Sequence, residues 1–300
     1  MKDDSFARKK WVLPYKNIIA VADGKGLVEL IEQSNCMGGT CWAEYHFRKS
    51  SPLILGTRQY GSSMRYTLRE GTSELKLVSS TSAAGIEAVA VGEDTISVTY
   101  AGLGGGGVGA TMSRALARDV IDYDLTEAGG SRKSRGTIVL PRRRRVLIGV
   151  DDTDTKEEGA TWSLVHNIAA DLDCSNARYA SHALVQLYPV PHKTQNCVST
   201  VVEFACVDVA RLVRDFGRLL AKYTLSENTG MVVLEGFDAK AFKDYGLLCK
   251  QKHVSVETTL KTIRKANADV LIDGRGIIGA AAALPYFARP CESVTLDPGT

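Results

Sequence analysis

Five apolar residues, Val146-Leu147-Ile148-Gly149-Val150, run straight into Asp151-Asp152-Thr153-Asp154, and this junction constrains the chain more than any other stretch. A short apolar run ending in acids reads as a buried strand. Ligands of α/β sheets bind beyond the carboxyl ends of such strands, so the acids stand where a site is expected. Three carboxylates within four residues repel one another unless a cation holds them. Their hard oxygens suit magnesium, which keeps waters and bridges to substrate phosphates. Asp151, Asp152 and Asp154 are therefore candidate magnesium ligands. The plainer alternative is a solvated acidic turn, since Asp is common in turns.

The pattern that follows is regular. Leu164, Val165, Ile168, Ala169 and Leu172 recur at helical spacing. Residues 183–188 and 198–207 are strand-like and enclose a loop at 189–197. Asp208 stands where it can cap a helix carrying Leu212, Val213, Phe216 and Leu220, and residues 231–234 form the next strand. This order, β-α-β-β-α-β, is the ferredoxin-like arrangement. A helix at 256–266, a strand at 270–272 and a helix from Ile277 complete the half. The expected fold class is thus α+β or α/β in two halves. In the first half, residues 18–21 and 95–100 read as strands and 27–31 as a short helix. The second of those strands runs into a glycine loop and then a helical pattern through Met112, Ala115 and Leu116.

Composition, charge and turn residues change together between the halves. Residues 129–150 carry Arg132, Lys133, Arg135 and the run Arg142, Arg143, Arg144 and Arg145 without one acidic residue, and Pro141 lies among them. The domains are accordingly placed at 1–140 and 141–300. The basic run reads as a charged linker that stays solvated, with contact to RNA as the alternative. A net charge of +3 over 300 residues does not argue for nucleic acid by itself. The start, MKDDSFARKK, lacks the apolar core of a signal peptide, and no apolar run reaches the roughly 20 residues of a membrane helix. A soluble, cytoplasmic chain with free thiols is expected from this and from seven scattered cysteines. Cys36, Cys41 and His46 lack a second pair at zinc spacing.

Two further segments carry candidate chemistry. Asp273-Gly274-Arg275-Gly276-Ile277-Ile278-Gly279-Ala280 follows a strand and opens an Ala-rich helix, a context in which backbone N–H groups can wrap a phosphate. Gly104, Gly106, Gly109 and Ala110 repeat the spacing of Gly274, Gly276, Gly279 and Ala280, which suggests an internal duplication. Neither copy has the downstream context of a dinucleotide fold, and no Walker lysine follows. The alternative for both is close helix–strand packing. The loop Pro191-His192-Lys193-Thr194-Gln195-Asn196 offers Lys193 to a phosphate, or is a solvated hairpin tip.

Taken together, Gly149-Val150-Asp151-Asp152-Thr153-Asp154-Thr155, Tyr188-Pro189-Val190-Pro191-His192-Lys193-Thr194, Asn228-Thr229-Gly230 and Gly274-Arg275-Gly276-Ile277-Ile278-Gly279-Ala280 occur in the order seen in the archaeal agmatinylcytidine synthetases that modify an isoleucine tRNA. Residues 146–285 resemble the ATP-using, kinase-like region and the ferredoxin-like domain of that family. The whole chain resembles methanogenesis marker protein 11. The resemblance implies that Asp151, Asp152 and Asp154 hold ATP with Mg2+, and that Lys193 and Gly274, Arg275, Gly276 and Gly279 line the same pocket. The chain departs from the synthetase pattern at Ala160-Thr161-Trp162-Ser163, where that family has Cys-Thr-Thr-Tyr, and in having no cysteine-pair zinc ribbon.

The expected function is an ATP- and magnesium-dependent enzyme that activates a substrate by phosphoryl or nucleotidyl transfer in the service of methanogenesis, catalysed through Asp152 and Lys193. Its partners would be a nucleotide and an acceptor substrate or methanogenic protein complex, with no membrane. Two rivals remain: a non-catalytic nucleotide-binding assembly factor, and an RNA-binding or RNA-modifying protein.

Overall fold

The computed structural model describes residues 5–194 and 196–296, so Gln195 of the lysine loop lies outside the described residues. The chain divides into two compact units, Met1–Arg143 and Arg144–Thr300. Among the described residues no helix is long and apolar enough to cross a membrane.

In the first unit, β1 (Asn17–Ala22), β2 (Leu27–Gln33), β3 (Ile54–Tyr60) and β4 (Ser63–Arg69) form an antiparallel sheet in the order β1-β2-β4-β3, with α1 (Met37–Ser50) between β2 and β3 in the chain. A second antiparallel sheet has the order β5-β6-β7-β9-β8, from β5 (Gly71–Thr72), β6 (Ala84–Val91), β7 (Thr95–Leu103), β8 (Asp122–Leu125) and β9 (Lys133–Pro141). One core, including Ile18, Leu30, Phe47, Tyr66, Val98, Tyr100 and Ile138, joins both sheets to α1.

Two expectations fail in this unit. Residues 27–31 are not a helix but most of β2, a central strand paired with β1 and β4. Interspersed acids made the segment look amphipathic at helical spacing, yet Glu29 and Glu32 are both buried. Arg65 and Arg58 reach Glu29, and Arg114 grips Glu32, which removes the cost that would bar acids from a strand interior. The glycine segment is likewise not a loop. It forms α2 (Gly104–Ala110), followed by α3 (Met112–Ala115). A Cβ on Gly107 would stand 2.1 Å from Ser134 Oγ, so glycine is what lets α2 press onto the sheet.

The second unit follows the expected order: β10 (Arg144–Asp151), α4 (Thr161–Asp171), β11 (Ala177–Gln186), β12 (Val198–Cys206), α5 (Val209–Tyr223) and β13 (Gly230–Glu235). Then come α6 (Lys243–Gln251), α7 (Val256–Lys265), β14 (Asp269–Asp273), α8 (Ile277–Ala283) and α9 (Pro290–Ser293). The sheet is antiparallel in the order β11-β12-β10-β13-β14, the ferredoxin-like arrangement with one strand added at an edge. Asp208 caps α5, its carboxylate accepting the Arg211 N–H at 3.0 Å.

Alternation along β10 sends residues to two cores. Val146, Ile148 and Val150 meet Phe216 and Leu220 of α5 and Val165 of α4, whereas Leu147 joins Phe242, Ile263 and the alanines of α8. Full burial of each such side chain contributes about 1.5–3 kcal/mol. Gly149 shares the α8 face, and a Cβ there would lie 2.0 Å from the Ala280 carbonyl oxygen. The helix therefore packs on the strand at backbone distance.

The two units share no strand order. β1 lies at a sheet edge and β10 at a sheet centre, and the first glycine segment follows a strand of a different sheet from β1. The repeated glycine spacing reflects two helices packed closely on strands rather than a repeated fold. The basic run is no solvated linker either. Arg143 is 1% exposed, with Asp119 at 3.2 Å, and Arg145 is 2% exposed and donates to Glu203 at 2.7 Å. Arg144 points outward to Glu235 at 2.8 Å. A strand alternates its side chains, so these arginines do not form one cationic stripe.

Candidate functional site

Asp151 ends β10, and Asp152 then takes φ +56°, a left-handed conformation that Asp tolerates better than most residues. This kink turns the Asp152 N–H back onto Asp151 Oδ1 at 2.9 Å. The acidic segment is then sewn into the unit through its backbone. Thr229 Oγ1 donates to the Asp152 carbonyl at 3.1 Å, and the Leu225 N–H donates to the Thr153 carbonyl at 2.9 Å. Thr161, the first residue of α4, accepts both the Thr153 N–H and hydroxyl at 3.1 and 3.0 Å and donates to Asp154 Oδ1 at 3.2 Å.

The lysine loop reaches the same place. Thr194 Oγ1 donates to Asp154 Oδ2 at 3.2 Å, bringing Lys193 and His192 beside the acids. Arg275 arrives from the segment before α8, its Nε 3.8 Å from Asp152 Oδ2. Together these residues line a cavity of about 420 Å3, whose walls also include Trp162, Tyr188, Lys252 and His253.

The glycines act mainly by giving room. A Cβ on Gly279 would fall 1.8 Å from Asp151 Oδ2, and one on Gly276 2.5 Å from the Asp151 carbonyl oxygen. The N–H groups of Gly274 and Gly276 donate to the Thr229 and Asn228 carbonyls at 3.1 and 2.8 Å. They are thus committed within the fold, and the expected amide cradle over this segment is corrected: Arg275, Gly276 and Gly279 line the cavity, and Gly274 braces the turn behind it. Gly104, Gly106 and Gly109 do not join this site. They belong to α2 of the first unit, where Gly106 and Gly109 line a separate cavity.

Electrostatics single out two of the acids. Burial and the charge of Asp152 push the Asp151 carboxyl well above the usual carboxylate range, against the opposing Asp152 N–H. Asp152 is also raised, by burial and by Asp154, although Arg275 and His192 pull the other way. The three acids do not converge on one ion: no group of three or more His, Cys, Asp or Glu is so arranged among the described residues. Both Asp154 oxygens accept threonine hydroxyls. The fit to magnesium is therefore narrower than the sequence suggested. Asp151 and Asp152 form an oxygen pair whose mutual repulsion a cation would relieve, as suits an ion held by one or two carboxylates and a substrate phosphate.

Thr161, Trp162, Thr229, Lys252 and His253 were not picked out as site residues. What brings them to the acids is the fold rather than a local pattern. Cys36 and His46 are elsewhere: Cys36 caps α1 by accepting the Gly39 N–H, and His46 Nδ1 accepts the Ala83 N–H at 3.0 Å. His182 donates to or accepts from Thr200, with its ring stacked on His166 at 5.9 Å.

Known proteins resemble this chain at two scales. Residues 147–210 match the TiaS TCKD domain. Over 146 residues, 46% of this chain and 34% of the other, it is 31% identical to the isoleucine-tRNA 2-agmatinylcytidine synthetase TiaS of Methanocorpusculum labreanum. The crystal structure of TiaS in complex with its tRNA and ATP superposes with a TM-score of 0.45 at 24% identity, covering 47% of this chain and 36% of that one. That of TiaS with its tRNA, AMPCPP and agmatine gives 0.43 at 21% identity over 47% and 36%. The resemblance to the synthetase is thus partial on both sides. At full length the chain is 40% identical over 297 residues, 94% of this chain and 99% of the other, to the uncharacterized protein MJ0921 of Methanocaldococcus jannaschii, and it belongs to the family of that protein.

Proposed function

We propose that the chain is an ATP-using enzyme that acts on RNA, activating an acceptor there by phosphoryl or nucleotidyl transfer. The observation that carries this reading is the meeting of three sequence-distant segments, Asp151 to Asp154, His192 to Thr194 and Arg275 to Gly279, on one cavity with acids at one side and cations and aromatic rings around it. Transfer of this kind needs mostly positioning and charge neutralisation. Magnesium held by Asp151 and Asp152 would supply part of that neutralisation. Lys193 and Arg275 present positive charge to the phosphates. Trp162 and Tyr188 offer flat surfaces to the base. Thr161 and Thr194 fix the Asp154 carboxylate, and through it the lysine loop.

The RNA half of the proposal is supported by the 31% identity to a synthetase named for its tRNA. That relationship favours RNA over the unidentified acceptor or methanogenic protein complex expected from the sequence. A methanogenic setting, and the choice between phosphoryl and nucleotidyl transfer, are finer parts of the same reading.

Titration calorimetry of ATP, with and without magnesium chloride, on the wild type and Asp152→Asn tests the first half. Magnesium-dependent binding that the variant loses is expected, and a folded wild type that binds no ATP sinks it. ATP turnover is expected to rise on addition of total archaeal tRNA. Turnover indifferent to every RNA added removes the second half.

A further inference from the structure

The first unit holds a second cavity, of about 490 Å3, which the proposed reaction leaves unused. Its inner wall includes Phe47, Ala43 and Arg114, and its rim carries Trp11, Leu13 and Trp42, which are 55%, 54% and 40% exposed. Large apolar side chains at a cavity mouth mark a place where a ligand enters.

The floor is unsuited to a phosphate. Arg114 spends Nε and Nη2 on the two oxygens of Glu32 at 2.8 and 2.7 Å, and Nη1 on the Gly109 carbonyl at 2.6 Å. Its flat face lies against Tyr15, Phe47 and Tyr100, 4.4 to 4.9 Å from their ring centroids. An arginine whose charge is balanced by Glu32 and whose faces meet aromatic rings has little left for a phosphate, and it leaves the floor largely apolar.

The rim is built to hold its rings in place. Trp42 leans on the His46 ring at 30° with centroids 3.9 Å apart, and a Cβ on Gly106 would stand 2.7 Å from its Cη2, so the absence of that Cβ makes room for the ring. Trp11 lies over Gly129, where a Cβ would stand 3.8 Å from its ring, and Lys9 Nζ is 5.1 Å from its centroid. Exposed cations lie close to Trp11 along the chain. Arg8, Lys9, Lys10 and Lys16 flank Trp11 and Leu13 in the chain, and Arg132 and Lys133 follow Gly129. Arg132 is partly offset by Glu127 at 3.4 Å.

We infer that this cavity receives an unpaired base of an RNA strand, against Trp11 and Trp42, while these lysines and arginines follow the strand's phosphates. Rings that receive bases amid cations that track the backbone are the usual means of binding single-stranded nucleic acid. The glycines of α2 find their use here, since Gly106 and Gly109 bring bare backbone to the cavity wall. The inference deepens the RNA side of the function proposed above and rests on that side alone.

The test is fluorescence anisotropy of a labelled single-stranded RNA oligonucleotide of mixed sequence with the full chain. Trp11→Ala and Trp42→Ala should each weaken binding about tenfold or more, as removal of a base-stacking ring does elsewhere. Lys9→Glu with Lys10→Glu should weaken it and flatten its dependence on salt. Asp152→Asn should bind the RNA as the wild type does, even though it loses ATP, so failure at either cavity is told apart. With circular dichroism showing every variant folded, tryptophan variants that bind like the wild type overturn the proposal. So does a wild type that ignores the oligonucleotide at low salt. AMP that displaces the oligonucleotide from the Asp152→Asn variant at equal concentration overturns it too, in favour of a free nucleotide.

Discussion

Thr194 donates a hydrogen bond to Asp154 Oδ2 at 3.2 Å across 40 residues of sequence, while Thr161 serves the other oxygen of the same carboxylate. One side chain thus ties the lysine loop to the acidic turn, and a second ties that turn to α4. The two threonines engage the rest of the fold differently, so their substitutions should differ.

Thr161→Val should lower both stability and ATP affinity. It strands the buried N–H and hydroxyl of Thr153, at a cost of about 1–3 kcal/mol. Thr194→Val should lower stability less than Thr161→Val, because it removes one hydrogen bond and strands no buried N–H, yet it should weaken ATP by releasing the lysine loop from the acids. Equal losses of stability in the two variants would contradict this division.

Gly279→Ala should damage the site more than the fold. The added methyl must displace the Asp151 carboxylate, a side chain that can move, from 1.8 Å. Gly149→Ala meets the Ala280 backbone carbonyl instead, which cannot, so overpacking of about 1–3 kcal/mol or more should appear as lost thermal stability. Calorimetric melting beside ATP titration separates the two.

The raised carboxyls give a signed dependence on pH. Asp151 and Asp152 hold protons more tightly folded than unfolded, so their contribution to stability is complete below the ordinary Asp value of roughly 3.9 and is lost as pH rises through their folded values. Asp151→Asn should therefore be more stable than the wild type at pH 7 in chelator, with a shallower pH slope in the acidic range. Urea midpoints between pH 4 and 7 check this, and a variant less stable than wild type at pH 7 would reverse the sign.

Arg145 and Glu203 are each about 1% exposed at the side chain, and Ser181 also donates to Glu203 at 2.6 Å. Arg145→Met should cost about 3–5 kcal/mol by leaving that carboxylate buried without its cation, and adding Glu203→Leu should recover much of the loss. Denaturant unfolding of the single and double variants measures it.

Much of the second unit could be read locally. The apolar run of β10, the helical spacing in α4 and α5, and the Asp208 cap depend on residues within a few positions of one another, and the β-α-β-β-α-β order follows from them. The acidic turn was legible for the same reason. What only the tertiary structure decided depends on partners far along the chain. Glu29, Glu32 and Arg145 look like surface residues until their opposite charges, 29 to 82 residues away, are packed against them. Glycine spacing likewise looks alike in both halves, because a sequence does not show whether a missing Cβ makes room for a phosphate, for a carboxylate such as that of Asp151, or for a neighbouring strand.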